Sequence, residues 1–238
     1  MAGTFRVRRV TTTRAGGVSK PPFATFNLGD HVGDDPAAVA ANRRRLAAAV
    51  GLDDGIVWMN QVHSANIAVV DHAGESVDDT DGLVTSTPGL ALAVVTADCV
   101  PVLMADARAG VVAAVHAGRV GAVDGIVAQA LATMTEAGAE IANVSVLLGP
   151  AVSGANYEVP ETMAAEVEQV LPGSLTTTRH GTPGLDLRAG IAAQLRSLGV
   201  RSIDIDPRCT VDDPRLFSHR RDAPTGRLAS LIWLEPAR

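Results

Sequence analysis

The period of the apolar positions changes several times along the chain, and each change marks an element. Residues 5–13 have strand composition and run into a Gly- and Pro-rich loop over 14–35 that contains Gly16-Gly17 and Pro21-Pro22. A loop of that length inside a compact domain is unusual and often functional. The first helix is marked at both ends: Asp35 can cap it, Pro36 suits its first turn and Gly51 can close it. Val39, Arg43, Leu46 and Val50 fall on one of its faces, so Arg43 shares the apolar stripe while Arg44 and Arg45 point elsewhere. Two readings of Arg43 follow. Its stem lies on the core with the head in water, or the head is held inward to meet an anion.

Strand-like runs follow at 56–62, 66–70, 90–96, 100–105 and 111–115. A helix is predicted over 123–137, where Val123, Ile126, Val127, Ala130, Leu131 and Met134 trace an amphipathic stripe. A strand at 144–148, helices at 161–171 and 187–198, and strands at 200–205 and 227–234 complete the pattern. Strands cluster before helices instead of alternating with them, which favours an α+β fold with mixed sheets over a doubly wound one. There is no internal repeat, no low-complexity tract and no linker, so a single domain over 1–238 is expected. No Gly-rich dinucleotide or P-loop pattern is present.

Composition narrows the picture. Hydrophobic residues at 47% against 19% charged supply a real core, and with aromatics at only 3% it must be packed from Ala, Val, Leu and Ile. A net charge of −6 argues against nucleic acid as a partner. The longest uncharged stretch, 82–97, is shorter than the roughly 20 apolar residues of a membrane span. The N-terminus carries charges where a signal peptide is apolar, so a soluble cytoplasmic protein is expected. In that setting Cys99 and Cys209 serve more readily as thiols or ligands than as a disulfide.

Three residues able to bind a borderline cation follow predicted strands: His63 after 56–62, Cys99 after 90–96 and His116 after 111–115. Neighbouring strand ends can bring them together, and two imidazoles with a thiolate suit Zn²⁺. Three protein ligands leave a fourth position for water or substrate, the arrangement of a catalytic site. The plainer alternatives are a packing cysteine and hydrogen-bonded surface histidines. Asp98 could orient a ligand imidazole or cap a turn.

The string Thr12-Thr13-Arg14-Ala15-Gly16-Gly17-Val18-Ser19, with Phe26-Asn27-Leu28-Gly29, Asn42-Arg43, Asn60-Gln61-Val62-His63-Ser64, Ala97-Asp98-Cys99-Val100-Pro101, His116-Ala117-Gly118, Tyr157-Glu158-Val159 and Phe217-Ser218-His219-Arg220-Arg221-Asp222, resembles the YfiH family from about residue 10 to residue 234. The resemblance implies a layered αβ fold and a metal site at His63, Cys99 and His116. It implies phosphorolysis of adenosine, inosine and S-methyl-5′-thioadenosine, together with deamination of adenosine. Purine nucleoside and phosphate are then the partners, and Arg43 matches the family's phosphate arginine. Asn27 and Gln61 have amides suited to reading base or ribose edges, and Glu158 and Asp98 are candidate proton carriers.

The family also carries the name polyphenol oxidase or laccase-like protein. Six histidines are too few for a four-copper centre, although copper can compete for a His₂Cys set. An amidase that edits peptidoglycan precursors and a Cys99–His116 hydrolase are further alternatives on the same residues. One departure is visible: the chain reads His116-Ala117-Gly118-Arg119-Val120-Gly121 where many members carry His-Ala-Gly-Trp-Arg-Gly. His219 likewise stands where a Tyr is usual.

Overall fold

A computed structural model of the protein describes residues 5–52, 55–74 and 76–235. The first four residues of the segment read above for a leader lie outside it. Among the described residues twelve strands form two large sheets and a small hairpin. The strands are β1 (Arg6–Thr11), β2 (Ile56–Val57), β3 (Ile67–Val69), β4 (Gly82–Thr85), β5 (Ala91–Thr96), β6 (Val100–Asp106), β7 (Val111–Ala117), β8 (Ser145–Leu148), β9 (Leu175–Thr177), β10 (Pro183–Leu185), β11 (Ser202–Ile205) and β12 (Leu228–Glu235). The helices are α1 (Pro36–Val50), α2 (Arg119–Val123), α3 (Ile126–Glu136), α4 (Glu161–Val170), α5 (Leu187–Ser197) and α6 (His219–Asp222).

One sheet has the order β1-β12-β5-β2 and the other β11-β8-β6-β7-β4-β3, each mixing parallel and antiparallel pairs. This is the expected α+β class. The alternation of side chains along the strands assigns the layers. Val112 and Ala114 of β7, with Leu103 and Ala105 of β6, meet Leu92 and Val94 of β5 between the sheets. Val111, Ala113 and Val115 point the other way and are covered by α3 and α5 through Ile126, Val127, Leu131 and Ile191. Helix α1 covers the outer face of the smaller sheet through Leu46 and Ala47. Four layers result, with the small aliphatic side chains that the composition demands.

Helix α1 ends where the sequence says it should. An Asp35 carboxylate oxygen accepts from the Ala37 N–H at 2.9 Å, and Gly51 closes it at φ 71°. Elsewhere the boundaries move. The predicted strand 56–62 shortens to β2, because the chain turns away toward the site after Met59. The predicted helix 123–137 divides at Gly125, whose φ of 85° separates α2 from α3. Strand β4 and the β9–β10 hairpin lie outside the predicted elements. Their runs are too short to show a period, yet Leu83 and Val84 are fully buried. Among the described residues no helix is long and apolar enough to cross a membrane.

Candidate metal centre

The turn over 97–99 carries the chain from one large sheet to the other, and at this end of the sandwich the three predicted ligands meet. Strand pairing sets Val100 opposite Ala117 and Pro101 opposite His116, so Cys99, just ahead of β6, lies beside the end of β7. By the period of two, His116 shares the face of Val112 and Ala114 and points between the sheets. His63 arrives on the loop after β2. One ligand atom from each of His63, Cys99 and His116 lies within 4.8 Å of the others. The Cys99 Sγ is 3.8 Å from His63 Nε2. Sulfur and nitrogen at ordinary zinc distances in a tetrahedron stand about 3.5 Å apart, so the donor set fits such an ion. Gly118 keeps the space open: a Cβ there would stand 2.8 Å from His63 Cδ2 and 3.2 Å from Cys99 Sγ. The trio can therefore hold a metal ion.

Asp81, absent from the sequence-predicted site, organises this centre. It is fully buried. One carboxylate oxygen accepts from His116 Nδ1 at 2.7 Å and from the His63 N–H at 3.0 Å. The other accepts from the Val62 N–H at 3.1 Å, the Ser64 N–H at 2.7 Å and the Ser64 hydroxyl at 2.8 Å. Three successive N–H groups converging on one carboxylate pin His63 in a left-handed conformation at φ 62°, which L-residues rarely adopt. The bond to Nδ1 fixes the His116 tautomer and leaves Nε2 for a ligand. Burial opposes the charge on Asp81, but its bonds to His116 and Ser64 hold it down to about 2. Burial likewise pushes the Cys99 thiol up, and the facing imidazoles more than offset this, favouring the thiolate. The pattern Asp-x-Asp-Gly ahead of β4 was the only sequence signal for Asp81, and it reads equally well as a turn.

A cavity of about 640 Å³ opens over the trio. Gln61, Asp98, Arg119, Tyr157, His219 and Arg227 are among the side chains that line it, along with His31 and Arg220. Ala97, Val152 and Leu187 supply an apolar wall.

The remaining predicted residues are placed as follows. Asp98 lies on the cavity but does not orient an imidazole, a correction with a geometric cause. Its turn, at φ 96°, directs one oxygen to the Thr210 hydroxyl at 2.5 Å and the other to the Arg220 N–H at 2.7 Å. Gln61 lines the cavity, and both ends of its amide serve the Val95 backbone at 2.8 Å. Asn27 is fully buried. Its amide donates to the Gly29 carbonyl and to Asp34, and its oxygen accepts from the N–H groups of Gly29 and Arg227. Glu158 accepts from the Thr182 hydroxyl at 2.9 Å and lines a separate shallow groove. Arg43 is absent from the cavity lining. Its Nε donates to the Leu28 carbonyl at 3.0 Å, its Nη2 lies 3.1 Å from Asp30, and its guanidinium sits 4.1 Å over the Trp58 ring.

The sequence profile of a family described as multi-copper polyphenol oxidoreductase laccase matches residues 8–235. The purine nucleoside phosphorylase of Mycobacterium tuberculosis strain H37Rv is 73% identical over 234 residues, covering 98% of this chain and 94% of that one. The purine nucleoside phosphorylase of Corynebacterium glutamicum is 60% identical over 232 residues, covering 96% and 94%. Among solved structures, YlmD of Geobacillus stearothermophilus matches with a TM-score of 0.90 at 34% identity, over 96% of this chain and 92% of that one. The hypothetical protein YfiH of Bacillus licheniformis matches with a TM-score of 0.90 at 32% identity, over 96% and 93%.

Proposed function

The chain belongs to the YfiH family, and we propose that it is a zinc-dependent purine nucleoside phosphorylase acting on adenosine, inosine and S-methyl-5′-thioadenosine that also deaminates adenosine. The observation that carries this reading is a metal-capable trio opening onto a cavity large enough for a nucleoside and rich in arginine. Relatives at 73% and 60% identity bear the name of that activity and support it.

In phosphorolysis a phosphate oxygen bonds to ribose C1′ as the C1′–N bond breaks, and the bonding pair leaves with the purine, which then takes a proton. Proximity does much of the work, because the phosphate and C1′ must be held in line. His63, Cys99 and His116 would hold the zinc ion, which when bound supplies a Lewis acid and, for deamination, a water of lowered pKa. Asp81 keeps His116 in the ligating tautomer. Ala97, Val152 and Leu187 exclude water from one side of the bound sugar. His31 and His219 are the imidazoles in the lining, outside the metal trio, that can pass a proton to the departing base.

The oxidase name fits the residues less well. Among the described residues His63, Cys99 and His116 are the one cluster able to hold a metal, and His72 and His180 are exposed elsewhere. Copper can compete for the trio, but a single such set is not a multicopper centre.

The decisive experiment is elemental analysis of the purified protein together with chromatography of the products from adenosine, with and without phosphate. Adenine and ribose 1-phosphate, formed only with phosphate, are expected. Consumption of adenosine to inosine alone, at the same rate without phosphate, would leave deamination and remove phosphorolysis. Activity that survives complete chelation would point to the Cys99–His116 hydrolase instead.

A further inference from the structure

Three arginines line the cavity without a carboxylate in ion-pair distance among the described residues. Arg119, Arg220 and Arg227 line it, and among the described residues none forms an ion pair. Elsewhere Arg43, Arg179, Arg208 and Arg215 each lie within 3.1 Å of an aspartate. The one carboxylate in the lining, Asp98, already accepts a bond on each oxygen. Three positive groups outnumber the two negative ones, Asp98 and the Cys99 thiolate, within a chain of net charge −6. Like charges gathered in a partly enclosed space are unfavourable until an anion joins them. A phosphate anion supplies the opposite charge, and its oxygens suit the guanidinium fork.

The three are also held ready. Arg227 Nη1 donates to the carbonyls of Thr225 at 3.0 Å and Gly226 at 3.2 Å, and among the described residues Nε and Nη2 have no protein acceptor. Asn27 takes the Arg227 N–H at 2.8 Å, and Gly29 packs so closely that a Cβ there would stand 2.6 Å from Arg227 Cγ. The Arg220 guanidinium lies 5.0 Å from the Tyr157 ring centroid. Arg119 and Tyr157 line the same cavity, and the positive charge of Arg119 acts to lower the pKa of that phenol. Arg43, by contrast, is committed to Asp30, which lies 3.6 Å from His31 of the cavity wall.

We propose that Arg119, Arg220 and Arg227 form an oxyanion subsite that takes inorganic phosphate, and that Arg43 is a positioning residue acting from outside the cavity through Asp30 and His31. The identity of the anion rests on the phosphorolysis reading.

The test is calorimetric titration of inorganic phosphate into the full-length, metal-loaded protein without nucleoside, followed by KM and kcat in phosphorolysis. R227Q and R220Q should each weaken phosphate binding roughly 10- to 100-fold, the range for losing a charged hydrogen-bonding partner. R119Q, at a position outside the packed core, gives a third reading if R227Q fails to fold. R43Q should lower kcat while changing phosphate affinity by less than about 3-fold, as expected of an indirect contact. Unchanged phosphate affinity in all three cavity variants, or a loss in R43Q as large as theirs, would overturn the assignment. Phosphate bound at these arginines without phosphorolysis supports the subsite and removes the proposed activity. Phosphorolysis with phosphate affinity unmoved in all three does the reverse.

Discussion

Replacing Asp81 by Asn tests the organisation of the metal centre with almost no change of shape. An amide offers one acceptor oxygen where the carboxylate offers two. With its oxygen toward Val62 and Ser64, its NH₂ confronts the His63 N–H and His116 Nδ1, which now stand at 3.0 and 2.7 Å from an acceptor. His116 can then satisfy the amide only by accepting at Nδ1, which moves its proton to Nε2, the nitrogen needed for a metal. The opposite orientation spares His116 but turns an NH₂ toward the N–H groups of Val62 and Ser64, which frees the turn carrying His63. Either way two charge-assisted bonds are lost at a buried site. At about 1.5–3 kcal/mol each, the cost is about 3–6 kcal/mol, a large part of the stability of an ordinary domain. Loss of the orienting partner should also weaken metal binding about 10- to 100-fold. Urea unfolding of the metal-free protein reads the first quantity, and competition for zinc against a chromophoric chelator reads the second. A midpoint unmoved by the substitution, with zinc affinity within twofold of wild type, would refute the role given to Asp81.

Other expectations follow from the same geometry. Cys99→Ser replaces a soft thiolate by a weak hydroxyl donor and should reduce bound zinc below about a tenth of stoichiometric while the fold persists; metal analysis and circular dichroism check both halves. Gly118→Ala places a methyl group 2.8 Å from the His63 ring and should weaken zinc binding with little effect on the metal-free unfolding midpoint; equal zinc affinity would show that the ring can yield. The Asp30 carboxyl is held at about 2 by the His31 imidazole 3.6 Å away and by Arg43, against burial. Its pKa is depressed in the fold, so the interaction is present above the ordinary carboxylate pKa near 4 and is lost as the pH falls toward 2. A carbon-detected NMR titration should place Asp30 below 3 in the wild type and higher in Arg43→Gln; identical titrations would dissociate the pair.

What the sequence made legible follows from the range over which each signal acts. The limits of α1 are local, since Asp35, Pro36 and Gly51 lie within or beside the helix they bound. The trio of His63, Cys99 and His116 was legible at one remove, because each ligand lies at or near a strand end and strand ends in a sandwich converge. Asp81 was not: it lies 35 residues from the imidazole it orients, and that bond exists only once β4 has paired with β7. The residues assigned to substrate through resemblance divide on the same principle. Asn27, Gln61 and Arg43 have the chemistry to read a ligand, but a polar group enclosed by the fold must find partners, and here the protein supplies them. Arg119, Arg220 and Arg227 carry the same guanidinium as Arg43, yet among the described residues none of them forms an ion pair. A side chain's chemistry is written in the sequence, whereas whether that chemistry is already spent depends on neighbours that only the fold brings within reach.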